Sequence, residues 1–190
     1  MNPVPAEVPA VPALKAAARV LVAGVGNIFL RDDGFGPEVA RQLASDSRLL
    51  GSKVRVVDYG IRGMHLVYDL LDGVEVLILV DAVPAEENGE QAGSSVGSPA
   101  GSVRVMGIRS EHLDGRAALD PHGMNPAAVL GRLRTLGGEL PTTYVVGCVP
   151  ADVSEGIGLS DPVSAAVPGA VSAVVSLLAR HALVNPSVTA

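Results

Sequence analysis

Five short aliphatic runs recur along this chain, and segments with helical spacing separate them. Residues 19–25 (RVLVAGV), 53–58 (KVRVVD), 74–81 (VEVLILVD), 102–108 (SVRVMGI) and 142–149 (TTYVVGCV) each read as a strand. The first is a continuous apolar run ending in glycine, the pattern of a buried strand. Between the runs, residues 37–44, 64–71 and 125–135 fit helices, with Pro37 suited to a first helical position. A last helix fits residues 162–183. Such alternation points to one architecture: an α/β fold in three layers, with a mostly parallel twisted sheet of about five strands and helices on both faces.

The length of 190 residues suits one domain, expected over residues 19–184. Residues 1–18 carry four prolines and read as a disordered Pro/Ala-rich tail; residues 185–190 form a short C-terminal tail. The stretch 84–101 is rich in Gly, Ser and Glu and reads as a mobile surface insertion. Composition removes several functions. Aromatics are 3% with no Trp, which argues against a binding surface of stacked rings. The net charge is -6 and no basic stripe is present, so no nucleic-acid partner is expected. A single Cys leaves no intramolecular disulfide and no Cys-rich zinc or iron-sulfur site. The N-terminus lacks the basic start of a secretion signal. Residues 163–179 are apolar or small, but they include Pro168 and three serines and fall short of a span of about 20 residues. They read as a helix packed on the sheet. The expectation is a soluble cytoplasmic protein with no membrane partner.

In open α/β sheets, function gathers where the strands end. The first strand is followed by Gly24-Val25-Gly26-Asn27, then by the acidic loop Asp32-Asp33-Gly34. This is not a dinucleotide fingerprint. The third glycine is replaced by Phe29, and two carboxylates stand where a pyrophosphate would lie. A metal site fits better. Asp33, Asp81 and His122 each fall at or just past the end of a predicted element. Two carboxylates and one imidazole suit a borderline divalent cation such as Zn, Ni or Mn. Each also has a plain structural reading: Asp33 as a solvated loop acid, Asp81 as a turn cap, His122 as a helix cap. Asp32 reads as a loop group, or one that supports the neighbouring ligand acid, rather than a ligand itself, and Cys148 as a small buried residue. Gly34 and Gly36 give the loop its turns. Arg62 reads as a surface arginine, with contact to a substrate carboxylate as the alternative. His65 falls on a helix, and His112 and His181 read as surface residues.

Four blocks of the chain resemble one family in its own order. The run VAGVGNIFLRDDGFGPEVARQL resembles the N-terminal signature of the hydrogenase maturation endopeptidases. VVDYGIRGMHLVYDLLDGVEVLILVDAV, the turn Asp120-Pro121-His122 and VVGCVPADVSEGIGLSDPV are similar to that family's later blocks. Together they cover residues 19–183. The resemblance implies a phosphorylase/hydrolase-like fold. It implies an endopeptidase that clips the C-terminal extension from the large-subunit precursor of a nickel-iron hydrogenase. The family's metal-binding residues fall on Asp33, Asp81 and His122, and nickel is expected to arrive with the precursor. Asp58 matches an acid near the cleft, a possible substrate contact. The chain lacks H-E-x-x-H and G-x-S-x-G, so zincin and serine-hydrolase mechanisms have no support. Two other readings keep the same acidic loop: a related peptidase with a different client, and a non-cleaving chaperone that checks nickel loading.

Overall fold

Each aliphatic run forms the expected strand. The computed structural model describes residues 20–49, 53–84, 98–108 and 126–181. The tails at 1–18 and 185–190, most of the 84–101 insertion, His112 and His122 lie outside the described residues. The strands are β1 (Val20–Val25), β2 (Val54–Gly60), β3 (Val76–Ala82), β4 (Val103–Ile108) and β5 (Thr142–Cys148). The helices are α1 (Phe35–Ala44), α2 (Gly63–Leu71), α3 (Pro126–Thr135) and α4 (Asp161–Arg180). Sequence spacing missed two short 3-10 turns, Arg31–Gly34 and Ser47–Leu49.

The strands form one sheet in the order β2-β1-β3-β5-β4. All neighbours are parallel except β4, which runs antiparallel to β5 along one edge. Alternation along the strands sorts the core into two halves. Val20, Val22, Ile78 and Val80 face Phe35, Val39 and Leu43 of α1 and Val167, Val174 and Leu178 of α4. Leu21, Ala23, Leu77 and Leu79 face Leu66 and Leu70 of α2 and Leu130 and Leu133 of α3. Helices therefore cover both faces, as expected.

By length and composition alone α4 could cross a membrane. Its stripe of Val163, Val167, Ala170, Val174, Leu177 and Leu178 is instead buried against α1 and the sheet. Pro168 sits on the exposed side of the helix, away from the packed stripe.

The sheet order also decides where a site can form. From β1 the chain passes through α1 on one face to β2. It then returns through α2 on the other face to β3, on the far side of β1. The connections leaving β1 and β3 therefore diverge. A crevice opens between the carboxyl ends of these strands, at the topological switch point.

Candidate active site

Two of the expected acids sit at that crevice. Asp81 is the second-last residue of β3, level with Gly147 of β5. Asp33 lies in the 3-10 turn between β1 and α1. The Asn27 N–H donates to Asp33 Oδ2 at 2.6 Å, which orients the carboxylate. Close backbone packing makes this approach possible. A Cβ on Gly36 would collide with the carbonyls of Val25 and Val80, so only glycine lets α1 start against the ends of β1 and β3. Gly26 has φ +130°, and a side chain there would strike the carbonyl of Asp33.

The two carboxylates interact. Burial pushes the Asp81 carboxyl up to about 8, the charge of Asp33 adds to the rise, and a hydrogen bond from the Ala82 N–H opposes it. A buried acid beside a second acid holds its proton unless a cation is present. Among the described residues no three His, Cys, Asp or Glu side chains form a metal-holding group. Of the three ligands expected from the sequence, Asp33 and Asp81 come close enough for the charge of one to act on the other, and His122 lies outside the described residues.

Asp58 is exposed at the carboxyl end of β2, level with Gly24 of β1. It lines a cleft of about 480 Å³ together with Ile28, Arg31, Glu38, Ile157 and Leu159. The cleft meets the acidic loop at Gly34, but neither Asp33 nor Asp81 lines it. Arg62 is also exposed, and its guanidinium is engaged locally. Its Nε donates to the Tyr59 carbonyl at 3.0 Å and an Nη donates to the Asp58 carbonyl at 2.5 Å. That supports the surface reading over a free substrate contact.

Asp32 is fully buried. Its Oδ2 accepts from the Ala151 N–H at 2.8 Å, the Asp152 N–H at 2.9 Å and the Ser160 hydroxyl at 2.9 Å. Its Oδ1 accepts from the Ser160 N–H at 2.6 Å. Burial opposes the charge, but these donors outweigh it and hold the carboxyl below its usual range. Asp32 is thus a buried loop group whose oxygens are both taken up by donors of the chain, as its sequence context suggested. Its partners near Ala151 and at Ser160 carried no sequence signal, because most of them are backbone N–H groups. Also unforeseen was the cluster joining β2 to α2, where Asp69 accepts from the Tyr59 hydroxyl and pairs with Arg55 at 2.8 Å.

Cys148 is buried, and its thiol is pushed up to about 11, first by burial and then by the charge of Asp32. It stays protonated at neutral pH and is no nucleophile. His65 is exposed on α2, as expected. His181, expected at the surface, is half-buried with its ring 5.7 Å from that of Tyr144.

Comparison with known proteins bears directly on this arrangement. Residues 37–177 match the family model described as hydrogenase maturation protease. The Hydrogenase 2 maturation protease of Escherichia coli is 29% identical over 162 residues, covering 84% of this chain and 90% of that protein. The delta subunit of coenzyme F420 hydrogenase from Methanothermobacter thermautotrophicus is 31% identical over 163 residues, covering 83% and 92%. Among solved structures, the hydrogenase maturating endopeptidase HybD from Escherichia coli superposes with a TM-score of 0.68 at 28% identity, covering 86% of this chain and 93% of that one. The hydrogenase 2 maturation peptidase of a Thaumarchaeota archaeon gives a TM-score of 0.61 at 33% identity, covering 84% and 97%. The class is therefore an α/β endopeptidase. The chain belongs to the hydrogenase maturation protease family.

Proposed function

We propose that this endopeptidase removes the C-terminal extension from the nickel-loaded large-subunit precursor of a nickel-iron hydrogenase, in the cytoplasm. One observation carries the reading: the Asp33–Asp81 pair at the switch-point crevice of a chain in this family. A carboxyl whose ionisation is opposed by burial and by a neighbouring acid is matched by a divalent cation, which reverses the sign of the interaction. Oxygen and imidazole donors without a thiolate suit a borderline ion held only on demand. In this reading Asp33, Asp81 and His122 are the catalytic and metal-contacting residues. The nickel belongs to the precursor and completes its coordination against them. Asp58 contacts the substrate from the wall of the cleft.

The reaction is amide hydrolysis. Water adds to the scissile carbonyl carbon, the C–N bond breaks, and the released amine takes up a proton. Requiring nickel in the precursor makes cleavage a check on metal loading, because an empty precursor gives the acid pair nothing to grip.

The test is incubation of the purified chain with nickel-loaded and nickel-free precursor, followed by mass spectrometry. Loss of the C-terminal peptide from the loaded form alone is expected. Binding without mass loss would favour the non-cleaving chaperone. Stoichiometric zinc in the purified chain, with equal cleavage of both precursors, would mark a self-contained metallopeptidase.

A further inference from the structure

We propose that Asp32 is a positioning residue, whose buried carboxylate straps the acidic loop to the 150–160 loop and so fixes Asp33 for its contact with the precursor's nickel. This role rests on Asp33 touching nickel, as proposed above. Asp32 cannot make that contact itself. No part of it reaches solvent, and four donors from Ala151, Asp152 and Ser160 surround its two oxygens.

The strap joins residues nearly 130 positions apart, and other bonds reinforce it in the same place. The Asp32 N–H donates to the Asp152 carbonyl at 3.1 Å, and the Arg31 N–H to the Gly156 carbonyl at 3.1 Å. The Gly156 N–H returns to the Phe29 carbonyl at 2.8 Å. Arg31 Nε pairs with Asp152 at 3.2 Å. Ser160 shows what the strap takes precedence over. It stands at the N-cap of α4, where a serine hydroxyl ordinarily accepts from its own helix. Here it makes no side-chain cap bond and donates to Asp32 instead.

Asp33 gains from this arrangement because it is the next residue in a four-residue 3-10 turn, Arg31–Gly34. A turn that short moves as a unit. Any rotation that loosens Asp32 also swings Asp33, whose carboxylate is held by a hydrogen bond from the Asn27 N–H. Groups that orient a metal contact from behind typically change metal affinity or activity by roughly 10–100-fold when replaced.

The test compares wild type with Asp32→Asn and the milder Ser160→Ala, at a temperature well below both melting points. Asparagine keeps the shape but turns an NH₂ group towards an N–H donor. Amide hydrogen exchange at Ala151, Asp152 and Ser160 reads the strap directly, calorimetric titration with Ni²⁺ reads the acid pair, and cleavage of the loaded precursor reads turnover. Asp32→Asn is expected to speed exchange at all three amides and to lower Ni²⁺ affinity and kcat by roughly 10–100-fold. Ser160→Ala should shift the same quantities in the same direction by less. Faster exchange with wild-type Ni²⁺ affinity and kcat would overturn the proposal, leaving Asp32 a fold-holding group only. If Asp32→Asn does not fold, a folded Ser160→Ala with faster exchange and unchanged affinity overturns it as well. A wild-type chain that cleaves nickel-loaded and nickel-free precursor equally would instead sink the nickel-contact reading of Asp33, and the purpose of the strap with it.

Discussion

The pockets around Asp32 and Asp81 both withdraw a carboxylate from water, and they treat its charge in opposite ways. Around Asp32 the chain supplies four donors, so the charged form is favoured despite complete burial. Around Asp81 the described residues supply one N–H and a second acid, so the charged form is disfavoured. A buried charge satisfied by the protein has a structural use. A buried charge left unmatched signals a partner that comes from outside. One short turn connects the two pockets, since Asp33 both follows Asp32 and raises Asp81.

The largest effect should come from removing the unmatched acids. Asp33→Ala and Asp81→Ala are each expected to lower precursor cleavage by more than about a hundredfold, beyond the range of groups that only orient a metal contact. Neither should unfold the chain, because each lies at the end of an element rather than in the apolar core. Cleavage assays run beside circular dichroism check this. Near-normal cleavage in both variants would erase the distinction between the two pockets.

Asp32→Ala should do the reverse, striking stability first. It strands three backbone N–H groups that were bonded to a buried carboxylate. At about 1–3 kcal/mol for each unsatisfied group, the loss is on the order of 3 kcal/mol or more. For a chain of this size that lowers the melting temperature by roughly 10 °C. The folded-state pKa of Asp32 lies below its ordinary 3.8. Its stabilisation is therefore fully present above pH 3.8 and fades as the pH falls through the lower folded value. The gap between wild type and Asp32→Ala should narrow in acid, which thermal melts from pH 3 to pH 7 would follow.

Asp81 gives the opposite slope. Its folded pKa is raised from 3.8 to about 8, so the native state holds the extra proton between those values. Stability then falls as the pH rises through that window. Asp81→Asn should remove this slope and melt roughly 10 °C or more above wild type at pH 9, with little difference at pH 4. Added Ni²⁺ should raise the wild-type melting temperature at pH 9 and leave Asp81→Asn nearly unmoved. Parallel pH profiles for the two proteins would break the comparison.

How much of this was legible in the sequence follows from what each feature is made of. The strands were legible because continuous aliphatic runs such as 74–81 suit little but a covered strand, and the helices because Pro37 and apolar spacing mark them. The antiparallel setting of β4 was not, since a six-residue run carries no sign of direction. Asp33 and Asp81 could be placed at the ends of elements from spacing alone. Their meeting depends on β3 lying beside β1, a property of strand order that spacing does not encode. Family resemblance supplied that step. The strap was illegible for a different reason. Of the four donors to Asp32, three are main-chain N–H groups, which every non-proline residue possesses.

Arg62 offers a third manner of holding a strand end, and the smallest expected effect. Its side chain is exposed, and its guanidinium donates to the carbonyls of Asp58 and Tyr59, drawing the turn after β2 together. Each bond is worth about 0.5–1.5 kcal/mol, and the one to the exposed Asp58 carbonyl less, because water can replace its donor. Arg62→Ala should lower the melting temperature by no more than about 4 °C. Asp58 is proposed to touch the substrate without taking part in the bond cleavage, so loosening its turn should weaken ground state and transition state alike. That pattern raises KM severalfold and leaves kcat unchanged. Arg62→Lys should fall between the two, because an ammonium cannot fork across two carbonyls as a guanidinium does. Steady-state kinetics on the loaded precursor decide it. A collapse of kcat with KM intact would move Asp58 from the wall of the cleft into the chemistry, and the turn after β2 would then join the acid pair.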